Sequence, residues 1–132
     1  MRKMNSKKLF SGIVTMGLFL SMGMTVLAAS ATSSFIYNQK TVNCVLNVDW
    51  KLGKDDAYAK TYVSGGSGNY PLGAYILAFD NNGSLVGSDN ITAFDTAKTK
   101  TLSYTASKFK STHNIQNSNR VPLESRNLEV KN

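Results

Sequence analysis

The sequence predicts an all-β protein that forms a single small antiparallel β-sandwich domain. Polar and apolar residues alternate along several short segments, which is the period of a strand that buries one face. Clusters of Gly, Asn and Ser separate these segments at intervals of about 8 to 12 residues, a spacing typical of all-β domains. After the first thirty residues the chain is rich in Ser, Thr, Asn, Gly, Tyr and Val, and the whole sequence contains only two prolines.

The N-terminal segment predicts a secretory signal peptide in residues 1–28. The stretch "MRKMNSKK" carries four basic residues and no acid. The apolar stretch that follows, 13–27, is shorter than the roughly 20 residues needed to span a bilayer. Small residues place the cleavage site after Ala28, with a cut after Ala31 as the alternative. Residues 29–132 then form the single mature domain, and we expect secretion without a permanent membrane anchor.

The first predicted strands are a short segment at 34–37 and longer ones at 41–50 and 56–63. In "TVNCVLNVDW" every second residue from the first valine is apolar, which places Cys44 among core residues. The single cysteine is therefore predicted to be buried, as free cysteines often are. In "DAYAKTYV" small residues alternate with two tyrosines and a lysine, which we expect on the opposite face of the strand.

A glycine-rich loop at 65–69 leads to the most apolar predicted strand, 70–80. The stretch "DNNGS" at 80–84 is the strongest turn signal in the chain, because its Asn-Gly pair tolerates positive φ. It closes a predicted hairpin with a strand at 85–91.

The second half predicts strands at 99–106, 108–116 and 121–130, with a turn at 117–119. Pro122 indicates that the last strand is an edge strand, since proline has no N–H to donate to a neighbour. About seven short strands favour a β-sandwich, of which the immunoglobulin-like arrangement is one form, and an open β-barrel is the alternative.

The only histidine, His113, falls in register with Phe109 and Ile115 on one face of its predicted strand. We therefore predict a partly buried ring whose nitrogens bond to neighbouring groups. A pH switch and a catalytic base are the alternatives, but no motif supplies the nucleophile that such a base would activate. One histidine and one cysteine are too few for a zinc site, and "DNNG" lacks the ligand spacing of a calcium loop. We expect no enzymatic activity, no cofactor and no bound metal.

Charge and aromatic residues indicate a binding surface. Residues 29–132 carry a net charge of +3, because four of the fifteen basic residues and none of the acidic ones precede them. This charge gives little support for a nucleic-acid partner, and we expect none. Tyrosines near lysines suit recognition of sugars or peptides, although the same residues can simply cover a solvated sheet face. The predicted surface residues are Tyr58, Lys60, Tyr62, Tyr70, Lys98, Lys100, Lys108 and Lys110.

In its general character the chain resembles small exported β-sandwich proteins of Gram-positive bacteria. We therefore expect a secreted, non-enzymatic domain that binds a cell-wall polymer, a glycan or a surface protein. A secreted bacteriocin-like or toxin-like antibacterial effector is the alternative. Exposed edge strands also favour self-association.

Overall fold

The computed structural model describes residues 28–132, and within them it contains nine β-strands and no helix. The predicted signal peptide, except for Ala28, lies outside the described residues. The all-β class predicted from the sequence is confirmed. The strands are β1 (Ala28–Tyr37), β2 (Lys40–Asp49), β3 (Asp55–Val63), β4 (Leu72–Phe79), β5 (Leu85–Ala93), β6 (Thr96–Lys98), β7 (Leu102–Tyr104), β8 (Lys108–Gln116) and β9 (Pro122–Lys131).

The strands form two antiparallel sheets that do not close into a barrel. In sheet A the order is β1-β2-β3, and β6 and β7 both pair with the far edge of β3. In sheet B the order is β5-β4-β8-β9. The strand that contains Pro122, β9, lies at an edge of sheet B, as its proline predicts.

One hydrophobic core takes side chains from both sheets. Along β2 and β3 every second residue is buried, as the sequence alternation predicts. Cys44 is fully buried in the middle of β2, which confirms its predicted place in the core. The rings of Trp50, which follows β2, and Phe109, which belongs to β8, lie 5.7 Å apart between centroids. This contact ties the end of a sheet A strand to sheet B.

Two parts of the chain differ from the prediction. The strand expected at 34–37 is ten residues long, because β1 pairs with β2 along its whole length. Its small Ala and Ser residues give a weak alternation that hides this strand in the sequence. The strand expected at 99–106 is shortened to β7, and β6 lies before the predicted range. Between β6 and β7 the Thr99 N–H donates to the Ala59 carbonyl at 2.9 Å, and the Thr99 hydroxyl accepts from the Ala59 N–H at 3.0 Å, so a side chain supplies one of these two hydrogen bonds.

The predicted hairpin turn at 80–84 is confirmed. One carboxylate oxygen of Asp80 accepts hydrogen bonds from the backbone N–H groups of Asn82 and Ser84, at 2.9 and 3.0 Å. Gly83 has a φ of 79°, which glycine adopts without a steric penalty. The aspartate therefore stabilises the turn that joins β4 to β5.

Candidate binding surfaces

The outer face of sheet A brings together four of the eight predicted surface residues. Tyr58, Lys60 and Tyr62 point outward along β3, where all three are partly exposed. Lys98 on β6 lies directly opposite Lys60 in the strand register. We call these four residues the Tyr–Lys face.

Both lysines of the Tyr–Lys face lie over tyrosine rings. The Nζ atom of Lys98 is 4.3 Å from the ring centroid of Tyr58. The Nζ atom of Lys60 is 4.7 Å from the ring centroid of Tyr62. Such cation–π contacts contribute about 0.5–1 kcal/mol at exposed sites. They hold both ammonium groups close to the sheet surface.

Lys60 and Lys98 are a like-charge pair across two neighbouring strands. Side chains in such positions have Cβ atoms about 5 Å apart, and like charges there destabilise a sheet. In the part of the chain that the structure describes, neither lysine forms an ion pair. Within residues 28–132, neither positive charge is therefore neutralised by an ion pair.

The acidic pair on the same face shows a different arrangement. Asp49 on β2 lies opposite Asp56 on β3, so two carboxylates face each other. Lys51 forms an ion pair with Asp56, and this contact lowers the pKa of the aspartate and raises that of the lysine. Among the residues that the structure describes, one like-charge pair of sheet A thus has an ion-pair partner and the other has none.

Asparagines on β2 flank the two tyrosines of the Tyr–Lys face. Asn47 lies opposite Tyr58, and Asn43 lies opposite Tyr62. The side-chain amide of Asn43 donates a hydrogen bond of 3.4 Å to the Tyr62 carbonyl. The face therefore continues onto β2 as a polar surface with uncharged hydrogen-bonding groups.

Lys108 and Lys110 lie on the outer face of sheet B, away from the Tyr–Lys face. Their Nζ atoms are 5.3 and 5.8 Å from the ring centroid of Phe79. Lys108 faces Lys131 across β8 and β9, and the Lys131 Nζ atom is 3.5 Å from a carboxylate oxygen of Glu129. This lysine pair has a counterion next to it, unlike the pair on sheet A.

The last two predicted residues lie in neither group. The Tyr70 ring packs edge-on against Tyr37, with centroids 5.7 Å apart, and its hydroxyl accepts a 3.1 Å hydrogen bond from the Asn38 amide. Lys100 follows β6, and its backbone N–H donates to the Asp89 carboxylate at 2.9 Å. The folded chain thus places the eight predicted surface residues at four separate locations.

His113 is fully buried, more deeply than predicted. Its Nδ1 atom is 2.8 Å from the Thr61 hydroxyl oxygen, and its Nε2 atom is 2.6 Å from the Ser111 hydroxyl oxygen. Because the Thr61 hydroxyl donates its hydrogen to the Gly73 carbonyl at 2.8 Å, it accepts one from Nδ1–H. The Ser111 hydroxyl then donates to Nε2. Both ring nitrogens are satisfied with the ring neutral.

Burial lowers the pKa of His113 from 6.5 to about 4, while the Lys60 backbone carbonyl acts in the opposite direction. Desolvation dominates because the charged ring would lose its contact with water. The ring is 0 % exposed, so it does not contact solvent in the folded state. The prediction that neighbouring groups bond both ring nitrogens is confirmed.

Asp55 is a buried acid that the sequence analysis did not single out, and it is only 2 % exposed. Its Oδ1 atom accepts a hydrogen bond from the Lys51 N–H at 3.0 Å, and its Oδ2 atom accepts one from the Ala106 N–H at 3.1 Å. The carboxylate joins the β2–β3 loop to the segment after β7. Its inward register with Ala57 was the available sequence signal.

Among residues 28–132, no group of three or more His, Cys, Asp or Glu side chains is placed to hold a metal ion. The same residues include no helix long and apolar enough to cross a membrane. Comparison of the chain with known proteins finds no matching family model, no matching curated protein and no matching solved structure.

Proposed function

We propose that this chain is a secreted, non-enzymatic β-sandwich domain that binds an anionic polymer at the bacterial cell envelope. The binding surface is the Tyr–Lys face. The observation that carries this proposal is the pairing of Lys60 with Lys98, which has no counterion among the described residues. Two antiparallel sheets with a shared core support the sandwich, and the basic and apolar N-terminal segment supports export.

The ammonium groups of Lys60 and Lys98 lie over different tyrosines, Tyr62 and Tyr58, so they present two separate positive charges on one face. Each can attract its own phosphate or carboxylate group of a ligand, because neither forms an ion pair among the described residues. Each contact at an exposed site contributes up to about 1 kcal/mol, since water screens the charges. Useful affinity therefore requires several contacts, which a polymer with repeated anionic groups supplies.

The shape of the Tyr–Lys face suits an extended ligand. Tyr58 and Tyr62 are four residues apart on one face of β3, which separates them by about 13 Å along the strand. A ligand that contacts both tyrosines and the lysines between them therefore spans more than one sugar ring. Tyrosine gives a large contact area and loses little conformational freedom on binding.

Co-sedimentation with isolated Gram-positive cell walls tests this proposal. The variant is Lys60→Gln with Lys98→Gln, and the control is Lys108→Gln with Lys131→Gln, which removes the same charge from a lysine pair on sheet B. Loss of two exposed charge contacts predicts that the first variant binds walls about tenfold more weakly. The control should bind like the wild-type protein. An equal loss of binding by both variants would attribute the wall affinity to net charge, and wild-type binding by both would exclude these lysines; either result would reject the Tyr–Lys face.

A secreted antibacterial effector is a second candidate, and the net charge of +3 over residues 29–132 favours it. Cationic proteins are attracted to anionic cell surfaces in general, so charge alone supports both functions. Growth inhibition of related bacteria by the purified protein distinguishes them. Inhibition at concentrations that leave the wall unsaturated would support the effector, and its absence over a broad panel would reject it.

A further inference from the structure

The outward side of β4 carries an unusual row of large apolar residues. Tyr75, Leu77 and Phe79 alternate with the buried residues of this central strand, so they belong to the outer face of sheet B. Strands of antiparallel sheets with one face in water usually carry polar residues there. The ammonium groups of two lysines lie over Phe79, but Tyr75 remains 41 % exposed. An exposed aromatic beside a half-buried leucine marks a surface available for contact.

A groove of about 370 Å³ lies over this row. This volume falls within the range of about 300–1,000 Å³ that is typical of small-molecule sites. The strands β4, β8 and β9 contribute to the groove. Polar side chains of β8 and β9 lie opposite each other along its floor. The side chains that line it include Tyr75, Leu77, Lys110, Thr112, Asn127 and Glu129.

The charges of the groove are balanced. Lys110 lies directly opposite Glu129, whose carboxylate is also 3.5 Å from the Lys131 Nζ atom, so the lining includes one cation and one anion. The attraction of a charged ligand to one of these two lining residues is offset by its repulsion from the other, so a charge on the ligand adds little affinity. An uncharged ligand with many hydroxyl groups is repelled by neither, because a hydroxyl donates to a carboxylate and accepts from an ammonium group.

An amide group adds a directed donor to the groove. The Thr112 hydroxyl donates a 2.8 Å hydrogen bond to the Oδ1 atom of Asn127. This contact fixes the orientation of the amide, since its oxygen is already engaged. The two N–H groups of the Asn127 side chain then remain for an acceptor on a ligand.

We infer that this groove binds a neutral pyranose ring of a glycan. The C–H face of the sugar packs on Tyr75 and Leu77, and its hydroxyl groups bond to Asn127, Glu129 and Lys110. An aromatic wall with convergent polar groups is the combination expected of a small polar ligand site. The site lies on sheet B and does not depend on the Tyr–Lys face of sheet A.

Amide NMR of the purified protein tests this inference. The probes are methyl glucopyranoside, methyl galactopyranoside and N-acetylglucosamine, with glucuronate and glucosamine as charged comparators. A neutral sugar should shift the amide signals of β4, β8 and β9 at millimolar concentration. Tyr75→Ala should weaken the binding about tenfold, Tyr75→Phe should retain it, and Tyr58→Ala on sheet A should leave it unchanged.

Three results would overturn the inference. The first is the absence of shifts with every neutral sugar up to tens of millimolar. The second is tighter binding of a charged comparator, which would reject the argument from Lys110 and Glu129. The third is a shift of the same groove amides with protein concentration alone, which would assign the surface to a second copy of the chain.

Discussion

Acidification should destabilise this protein through its single histidine. The folded state holds the pKa of His113 at about 4, whereas the ordinary value is 6.5. As the pH falls below 6.5, the unfolded chain binds a proton that the folded chain does not bind, so the free energy of unfolding decreases. The loss continues until the pH reaches about 4, where the folded protein also takes up the proton. The difference between the two pKa values corresponds to about 3 kcal/mol.

Urea unfolding measured from neutral pH down to pH 4 gives this loss directly. Carboxylates also titrate near the lower end of the range, so the relevant quantity is the difference between wild type and His113→Gln. That difference should change by about 3 kcal/mol over the range, with the wild type losing more stability. NMR titration of the imidazole provides a second measurement that needs no variant. A pH-independent difference, or an imidazole that titrates near 6.5, would refute the buried neutral ring.

Three further outcomes are expected. Burial raises the pKa of the Cys44 thiol to about 12, so thiol reagents should modify it only at the rate of unfolding. Rapid labelling of the native protein would show an exposed thiol. Ala31 is 2 % exposed and pairs with Leu46, so a cut after Ala31 would remove part of β1. Under the proposed export, N-terminal sequencing of the mature protein should therefore find Ala29 first, and a chain beginning at Thr32 would reject this argument. Gly83→Ala should lower the free energy of unfolding by about 1 kcal/mol, because its φ of 79° strains a residue with a Cβ atom. Unchanged stability in urea would indicate that the turn relaxes.

Local alternation predicted the strands whose faces differ most. In β2 and β8 apolar residues alternate with polar ones, and in β3 small residues alternate with tyrosines and a lysine; the structure buries the expected set in each. The register with Phe109 and Ile115 correctly placed His113 on the core face, although the ring is buried more deeply than predicted. The contact with Thr61 could not be predicted in this way, because that residue lies fifty-two positions away on another strand. Periodicity predicts which face a residue joins but not what faces it across the core.

The strand β1, of which only the last four residues were predicted, has a weak local sequence signal. The inward positions of β1 include small residues such as Ala31, so the contrast between its two faces is low. Its turn to β2 uses Asn38 and Gln39, both with positive φ, and glutamine is not among the residues that usually indicate such a turn. Backbone pairing with β2 extends along the full length of β1, and this pairing makes the segment a strand although its local sequence does not indicate one.

The candidate surfaces depended on register between distant strands. Sequence spacing placed Tyr58, Lys60 and Tyr62 on one face, but only the pairing of β3 with β6 brings Lys98 opposite Lys60. The groove on sheet B likewise needs three strands in register. Tyr70, grouped with these residues by its type, lies instead against Tyr37. Residue type indicated the chemistry, and long-range pairing determined which residues share a surface.

Binding of an extracted anionic wall polymer to the purified protein is the most direct test of the Tyr–Lys face. Calorimetric titration at low and high salt should show binding by the wild-type protein that weakens as salt screens the charges. The Lys60→Gln and Lys98→Gln double variant should bind about tenfold more weakly at low salt, while the Lys108→Gln and Lys131→Gln double variant keeps the wild-type affinity. If the polymer binds all three proteins equally, or binds none of them, the Tyr–Lys face is not its binding site.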